Sequence, residues 1–262
     1  MNESLSHYGV KGMKWGVRKQ PKFHKGVREN TKGDLVIAKG TTFHRLASAD
    51  PANERKIGYA YASFIKRDND HYRTEMSLVN DNADRDSFDL TMKATKDLVL
   101  PSSKVKVNTF LDSMKDTKIQ NLLEKVYVDI ISSDDHTMGR FNTIANNIHK
   151  NTKLSKNASQ WYAAHAIAMN YSPKVRDDFI KRLSKKGYDG MLDTEDLMVM
   201  EAQAPVIVFR RENSLKIVTS KTLGRNYWFT PEAEVIEKRT DAYRRKHKGN
   251  SYGSFNRSYR KF

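Results

Sequence analysis

The sequence predicts an α+β domain, and three observations carry that reading. Strand-like runs come first, helical periodicity fills the middle, and strands return towards the C-terminus; blocks segregated in this way build an α+β fold rather than alternating βαβ units. The segment Ser87–Ala94 places Phe88, Leu90, Met92 and Ala94 at every second position, as a half-buried strand requires. Pro205-Val206-Ile207-Val208-Phe209 is apolar without interruption, the pattern of a central strand covered on both faces.

Taken in order, Gln20–Gly33 is polar and basic and reads as a linker. Structure begins at Leu35-Val36-Ile37, followed by Thr41–Leu46, either as two short strands or as one strand broken at Gly40. Asp50–Asn53 reads as a turn, Ile57–Phe64 as the next strand, and Asp68–Tyr72 as a capped helical turn. Leu98-Val99-Leu100 is a short strand ended by Pro101, which has no N–H for a ladder. Apolar residues at three- and four-residue spacing run across Thr109–Ile131, and a second amphipathic helix carries Met138, Phe141, Ile144, Ala145 and Ile148. Trp161, Ala164, His165 and Ala168 mark a third, in which His165 reads as a packed histidine among alanines. Ser172-Pro173 is an N-cap with proline at the first helical position, opening a helix that stops at Gly187. Tyr188–Met191, Leu197–Met200, Pro205–Phe209 and Ser214–Val218 return to strand character.

Three segments follow: residues 1–33, a domain from 34 to 225, and a tail from 226 to 262. The net charge of +16 resides in the outer two. Residues 1–33 carry +6 and residues 238–262 carry +8, which leaves +2 for residues 34–237. Two basic arms on a nearly neutral body point to a polyanionic partner, most simply packaged DNA. The chain has no cysteine, which excludes disulfides and thiolate metal sites. No apolar run approaches the roughly 18 residues that span a bilayer, and no hydrophobic signal region opens the chain. The expectation is a soluble protein made in a reducing cytoplasm, with no membrane partner. His7, His24 and His247 do not converge on a metal-site spacing, so no metal is expected. Phosphate-loop, dinucleotide-fingerprint, nucleophile-elbow and zincin patterns are absent from the sequence.

The stretch from His7 to Lys19 has its own chemistry. Gly9, Gly12 and Gly16 disfavour a helix by about 1 kcal/mol each, yet Tyr8, Met13, Trp15 and Val17 are large apolar groups. Anchors spaced by glycine and lysine suit a peptide that docks, with Tyr8, Met13 and Trp15 as the docking residues. The string resembles a short cassette, H-[YW]-G-x-K-G-M-K-W-G-x-R, found near the ends of virion and head-associated proteins of tailed bacteriophages. That resemblance implies a place in the virion, a capsid or head protein as partner, and the host bacterial cytoplasm during assembly or after ejection.

Four further pieces lie in order along the chain: Lys39-Gly40-Thr41 with His44-Arg45; Tyr59–Phe64 with Asp70 and Tyr72; Lys96-Asp97-Leu98 with Pro101-Ser102; and Gly187–Gly190 with Glu201–Phe209 and Ser214-Leu215-Lys216. Together they resemble the ADP-ribosyltransferase-like domains of phage structural gene blocks and bacterial toxins. The resemblance implies a split two-sheet core with a helical block, NAD as the substrate bound in the cleft, and ADP-ribose transfer to a nucleophile on a host protein. Of the family's two residue sets, Arg45 with Ser63 suits one and His44 with Tyr59 or Tyr61 suits the other. Strand alternation sends His44 and Arg45 to opposite faces and puts Tyr59, Tyr61 and Ser63 on one. Glu201, with Glu195 second, is the candidate for the carboxylate that stabilises the oxocarbenium-like centre. The chain departs from the family in having Ala62-Ser63-Phe64 where one set has Ser-Thr-Ser, and no Glu-x-Glu or Gln-x-Glu. Two readings stay open: an active transferase, or the same fold used structurally in the head.

Overall fold

The structure, a computed structural model, describes residues 26–47, 58–64, 66, 87–133, 135–193, 205–209 and 211–224. The predicted docking residues Tyr8, Met13 and Trp15, the candidate carboxylates Glu195 and Glu201, and the predicted elements at 50–53, 68–72 and 197–200 lie outside these residues.

The chain is α+β, with two antiparallel sheets and a block of helices. Strands β1 (Val27–Glu29), β2 (Leu35–Ile37) and β6 (Leu98–Leu100) form the smaller sheet in the order β1-β2-β6. The larger sheet is built from β3 (Thr42–Ala47), β4 (Tyr59–Ser63), β5 (Ser87–Ala94), β7 (Gly190–Leu192), β8 (Pro205–Phe209) and β9 (Leu215–Gly224). Its order is β7-β8-β4-β3-β5-β9. Between β6 and β7 come α1 (Ser103–Ser113), α2 (Thr117–Ile131), α3 (Asp135–Asn151), α4 (Lys156–Tyr171) and α5 (Pro173–Lys185), and a single turn, α6 (Arg211–Ser214), precedes β9.

Two sequence expectations are corrected here. Val27–Glu29, read as linker, pairs with β2 because Gly26 and Gly33 bracket it at positive φ, +89° and +82°. The helical block at Thr109–Ile131 is two helices: Asp116 accepts from the Lys118 amide as an N-cap and restarts the helix after Ser113. The Ser172-Pro173 start is as expected, with Ser172 Oγ accepting from the Val175 amide at 3.4 Å.

The larger sheet separates two cores. On one side Ala60, Ala62, Val206, Val208, Phe43, Leu90 and Met92 pack against Leu35, Ile37, Leu98 and Leu100 of the smaller sheet. On the other, Ile207, Phe209 and Met191 meet the helices through residues such as Phe110, Ala164, Phe179 and Leu183. The uninterrupted apolar run of β8 is therefore explained: alternate residues serve different cores, and the strand is paired on both edges, with β7 and β4. Gly190 leaves no room for a side chain. A Cβ there would stand 2.5 Å from the Ile207 carbonyl oxygen and 2.8 Å from Leu100 Cδ2. Beside it, Asp189 accepts from the Val99 amide through Oδ2 at 3.0 Å and from the Phe209 amide through its carbonyl at 2.7 Å, linking β6 to β8.

Candidate functional site

The helices cover only half of one sheet face. Met191, Ile207, Phe209, Tyr59 and Tyr61, from β7, β8 and β4, belong to the helical core, and no residue of β3, β5 or β9 does. On β3 and β5 the same face carries Thr42, His44 and the buried Leu46, and Asp89, Thr91 and Lys93. Among the described residues the helical core thus ends at the junction of β4 and β3.

Among the described residues that junction, the β3–β4 seam, also holds the fewest cross-strand pairs. β3 pairs with β5 at six positions and β4 with β8 at five, whereas β3 and β4 meet at one pair, His44 opposite Ser63. Beside this pair the Arg45 guanidinium donates from Nη1 to the Tyr61 carbonyl oxygen at 2.9 Å. A side-chain donor here takes the place of a ladder amide, so the carbonyl is satisfied.

The registers place the predicted residues around the seam. Because cross-strand partners share a face, His44, Ser63, Tyr61 and Tyr59 all lie on the helix side. Arg45 issues from the other face, opposite Leu90, and reaches the seam through its long side chain. His44 and Arg45 therefore bracket the seam from its two sides. Tyr59 is engaged already: its ring stands edge-on to Tyr61 at 5.9 Å, and the Arg176 guanidinium of α5 lies 4.9 Å from its centroid. Burial pushes the Tyr59 hydroxyl above the usual phenol range, with Arg176 opposing. Of the two tyrosines, Tyr61 is the nearer to Ser63 along β4.

Ser63 is the unusual member. It is 1% exposed, and its Oγ finds no hydrogen-bond partner among the described residues. A buried hydroxyl left in this state costs about 1–3 kcal/mol. It stands in a transverse row, Pro205–Ser63–His44–Thr91–Thr219, across four strand boundaries. Alternation of β7 carried one residue further puts Asp193 on the same side, beyond Leu192. Asp193 is buried and faces an equally buried cation, Lys106 of α1. Burial lowers the Lys106 ammonium to about 8, and the Asp193 carboxylate counteracts that shift. The polar row therefore ends in a buried charge pair.

Lys106, Asp193, Thr91 and Arg176 did not emerge from the sequence. For Lys106 a signal existed: it shares the i, i+3, i+4, i+7 stripe of buried Thr109, Phe110 and Ser113. Asp193 and Thr91 join the row through cross-strand register, which no local pattern encodes. His165 is enclosed by Phe110, Tyr162 and Phe179, with centroids at 5.4, 6.2 and 4.6 Å. Neither ring nitrogen has a partner among the described residues, and burial lowers its pKa to about 3. It is a packed, neutral histidine. Among the described residues there is no His, Cys, Asp or Glu cluster able to hold a metal, and no helix long and apolar enough to cross a membrane.

A family of unknown function, DUF7211, matches residues 1–22, the segment that holds the glycine-spaced aromatic cassette. No curated protein and no solved structure matches the chain.

Proposed function

We propose that residues 34–225 form an ADP-ribosyltransferase-like domain of a tailed-phage virion-associated protein, and that NAD binds at the β3–β4 seam. The observation that carries this reading is the buried Ser63 hydroxyl, without a partner among the described residues, directly opposite His44 at the sparsely paired β3–β4 junction. The residues there suit a dinucleotide: Arg45 supplies a guanidinium for phosphate, His44 and Ser63 supply groups for ribose hydroxyls, and Tyr61 supplies a ring for nicotinamide. In the reaction the bond between ribose C1′ and the nicotinamide nitrogen breaks, and a bond from C1′ to the acceptor forms. The acceptor's proton passes to solvent or a base. Glu201, or Glu195, is the carboxylate assigned to the developing positive charge; in sequence both lie within the segment between Asp193 and Pro205.

The cassette supports the virion assignment through its resemblance, with Tyr8, Met13 and Trp15 docking on a capsid or head protein and the basic tails contacting DNA. The second reading is that the same fold serves a structural role in the head without catalysis. It is favoured by the missing Ser-Thr-Ser and Glu-x-Glu patterns. Incubation with labelled NAD and host lysate, beside a Glu201→Gln variant, separates the two. Label transfer lost in the variant supports the enzyme, and the absence of both transfer and NAD binding sinks it. Removal of residues 1–19 is expected to abolish incorporation into particles; incorporation that survives the deletion contradicts the docking role.

A further inference from the structure

Away from the seam, α1 and α5 enclose an open cleft of about 330 Å3, lined by Asp112, Asp178, Lys181, Arg182, Lys185 and Lys186. Its lining carries four cations and two carboxylates, so the ligand it suits is anionic and polar rather than apolar. Two of the cations are fixed in place. Arg182 donates from Nε to Asp178 Oδ2 at 2.6 Å and from Nη1 to the Asp112 carbonyl at 3.4 Å, and stands 3.8 Å from Asp116. Lys186 Nζ donates to Thr109 Oγ1 at 2.9 Å and to Asp112 Oδ2 at 3.4 Å. The carboxylates hold the cations and are largely neutralised by them; Asp112 also takes Lys115 at 3.0 Å.

The remaining two, Lys181 and Lys185, have no hydrogen-bond or ion-pair partner among the described residues. They lie one helical turn apart on α5, where like charges at i and i+4 destabilise the helix. Part of the basic charge offsets the C-terminal dipole of α5, in whose last turn Arg182 and Lys185 lie. Lys181, a turn earlier, is not explained in this way. A rigid inner pair, Arg182 and Lys186, beneath an outer pair with free ammonium groups is an arrangement that meets several oxygens of one anion.

We infer that the α1–α5 cleft is a binding site for phosphate groups, with Lys181 and Lys185 as the capturing cations and Arg182 and Lys186 as the pre-positioned floor. The site is independent of the NAD reading. The chemistry is shared by a free diphosphate and by the backbone of a nucleic acid, and the test separates these sources. The full chain is titrated with inorganic pyrophosphate, followed by phosphorus NMR, and with a short DNA duplex at several salt concentrations. The same is done for a Lys181→Gln/Lys185→Gln double variant and for Lys153→Gln/Lys156→Gln, which removes the same charge from exposed lysines elsewhere. Saturable pyrophosphate binding that falls by about tenfold or more in the first variant and is unchanged in the second is expected. If DNA is the source, the dependence of log affinity on log salt also flattens in the first variant, by up to roughly 1.8 for two lost contacts. Absence of saturable binding of either probe, or equal losses in both variants, overturns the proposal.

Discussion

Two buried groups without hydrogen-bond partners, Ser63 and His165, sit in opposite surroundings. His165 lies inside the helical core, walled by Phe110, Tyr162 and Phe179, where the ring is neutral and packs as a flat apolar body. Ser63 lies at the single described cross-strand pair between β3 and β4, in a row with His44 and Thr91 and beside a guanidinium reaching from β3 to β4. The first orphan is absorbed by its surroundings, which offer nothing polar and no opening. The second lies at the edge of the described helical core, at the sparsely paired junction to which the proposed ligand is assigned.

That contrast can be broken or sharpened by substitution. The largest effect is expected from Phe179→Ala, which removes one wall of the histidine cage. Truncating a fully buried phenylalanine costs about 3–5 kcal/mol, read as a lowered denaturant midpoint. NMR titration should then show the His165 pKa climbing from about 3 towards its ordinary value of 6.5 as water reaches the ring. A pKa that stays near 3 means the cage is not its cause.

Next is the pH response. His165 binds a proton at about 6.5 when unfolded and at about 3 when folded. Between those values the unfolded chain holds more protons, so stability falls as pH drops, by up to about 1.4 kcal/mol per pH unit. His165→Leu keeps the apolar body and removes the titration. Denaturant unfolding from pH 7 down to pH 4 should show a shallower loss for the variant; parallel curves contradict the assignment.

Arg45→Ala is expected to cost about 1 kcal/mol by leaving the Tyr61 carbonyl without its donor. Hydrogen exchange should quicken along β3 and β4 rather than between β3 and β5, where six pairs hold. Uniform quickening across the sheet contradicts the seam. The smallest cost is expected from Ser63→Ala, which removes a buried hydroxyl without a partner among the described residues and should raise stability by about 1 kcal/mol. A large drop in thermal midpoint would mean that Ser63 is structural.

Legibility in the sequence divided along physical lines. Period-two alternation gave β5 correctly, and the apolar run of β8 revealed burial on both faces, because each pattern is local. The facing of Tyr59, Tyr61 and Ser63 followed from the same alternation. The join of His44 to Ser63, and hence which of His44 and Arg45 shares the tyrosine face, is a register between strands separated by residues 48–58, and no local pattern fixes it. The seam itself is a scarcity of pairing, which only the assembled sheet displays. β1 was hidden by its polar neighbours, since a three-residue strand with one buried side chain carries almost no hydrophobic signal.

The central claim is that the β3–β4 seam receives a ligand through Ser63. The most direct measurement is an NMR titration of the intact chain with NAD, repeated on Ser63→Ala. Saturable shifts are expected at His44, Tyr61 and Ser63 in the parent, with affinity weakened by about tenfold in the variant. Saturation with shifts confined to other residues, or no saturation in the parent, contradicts it.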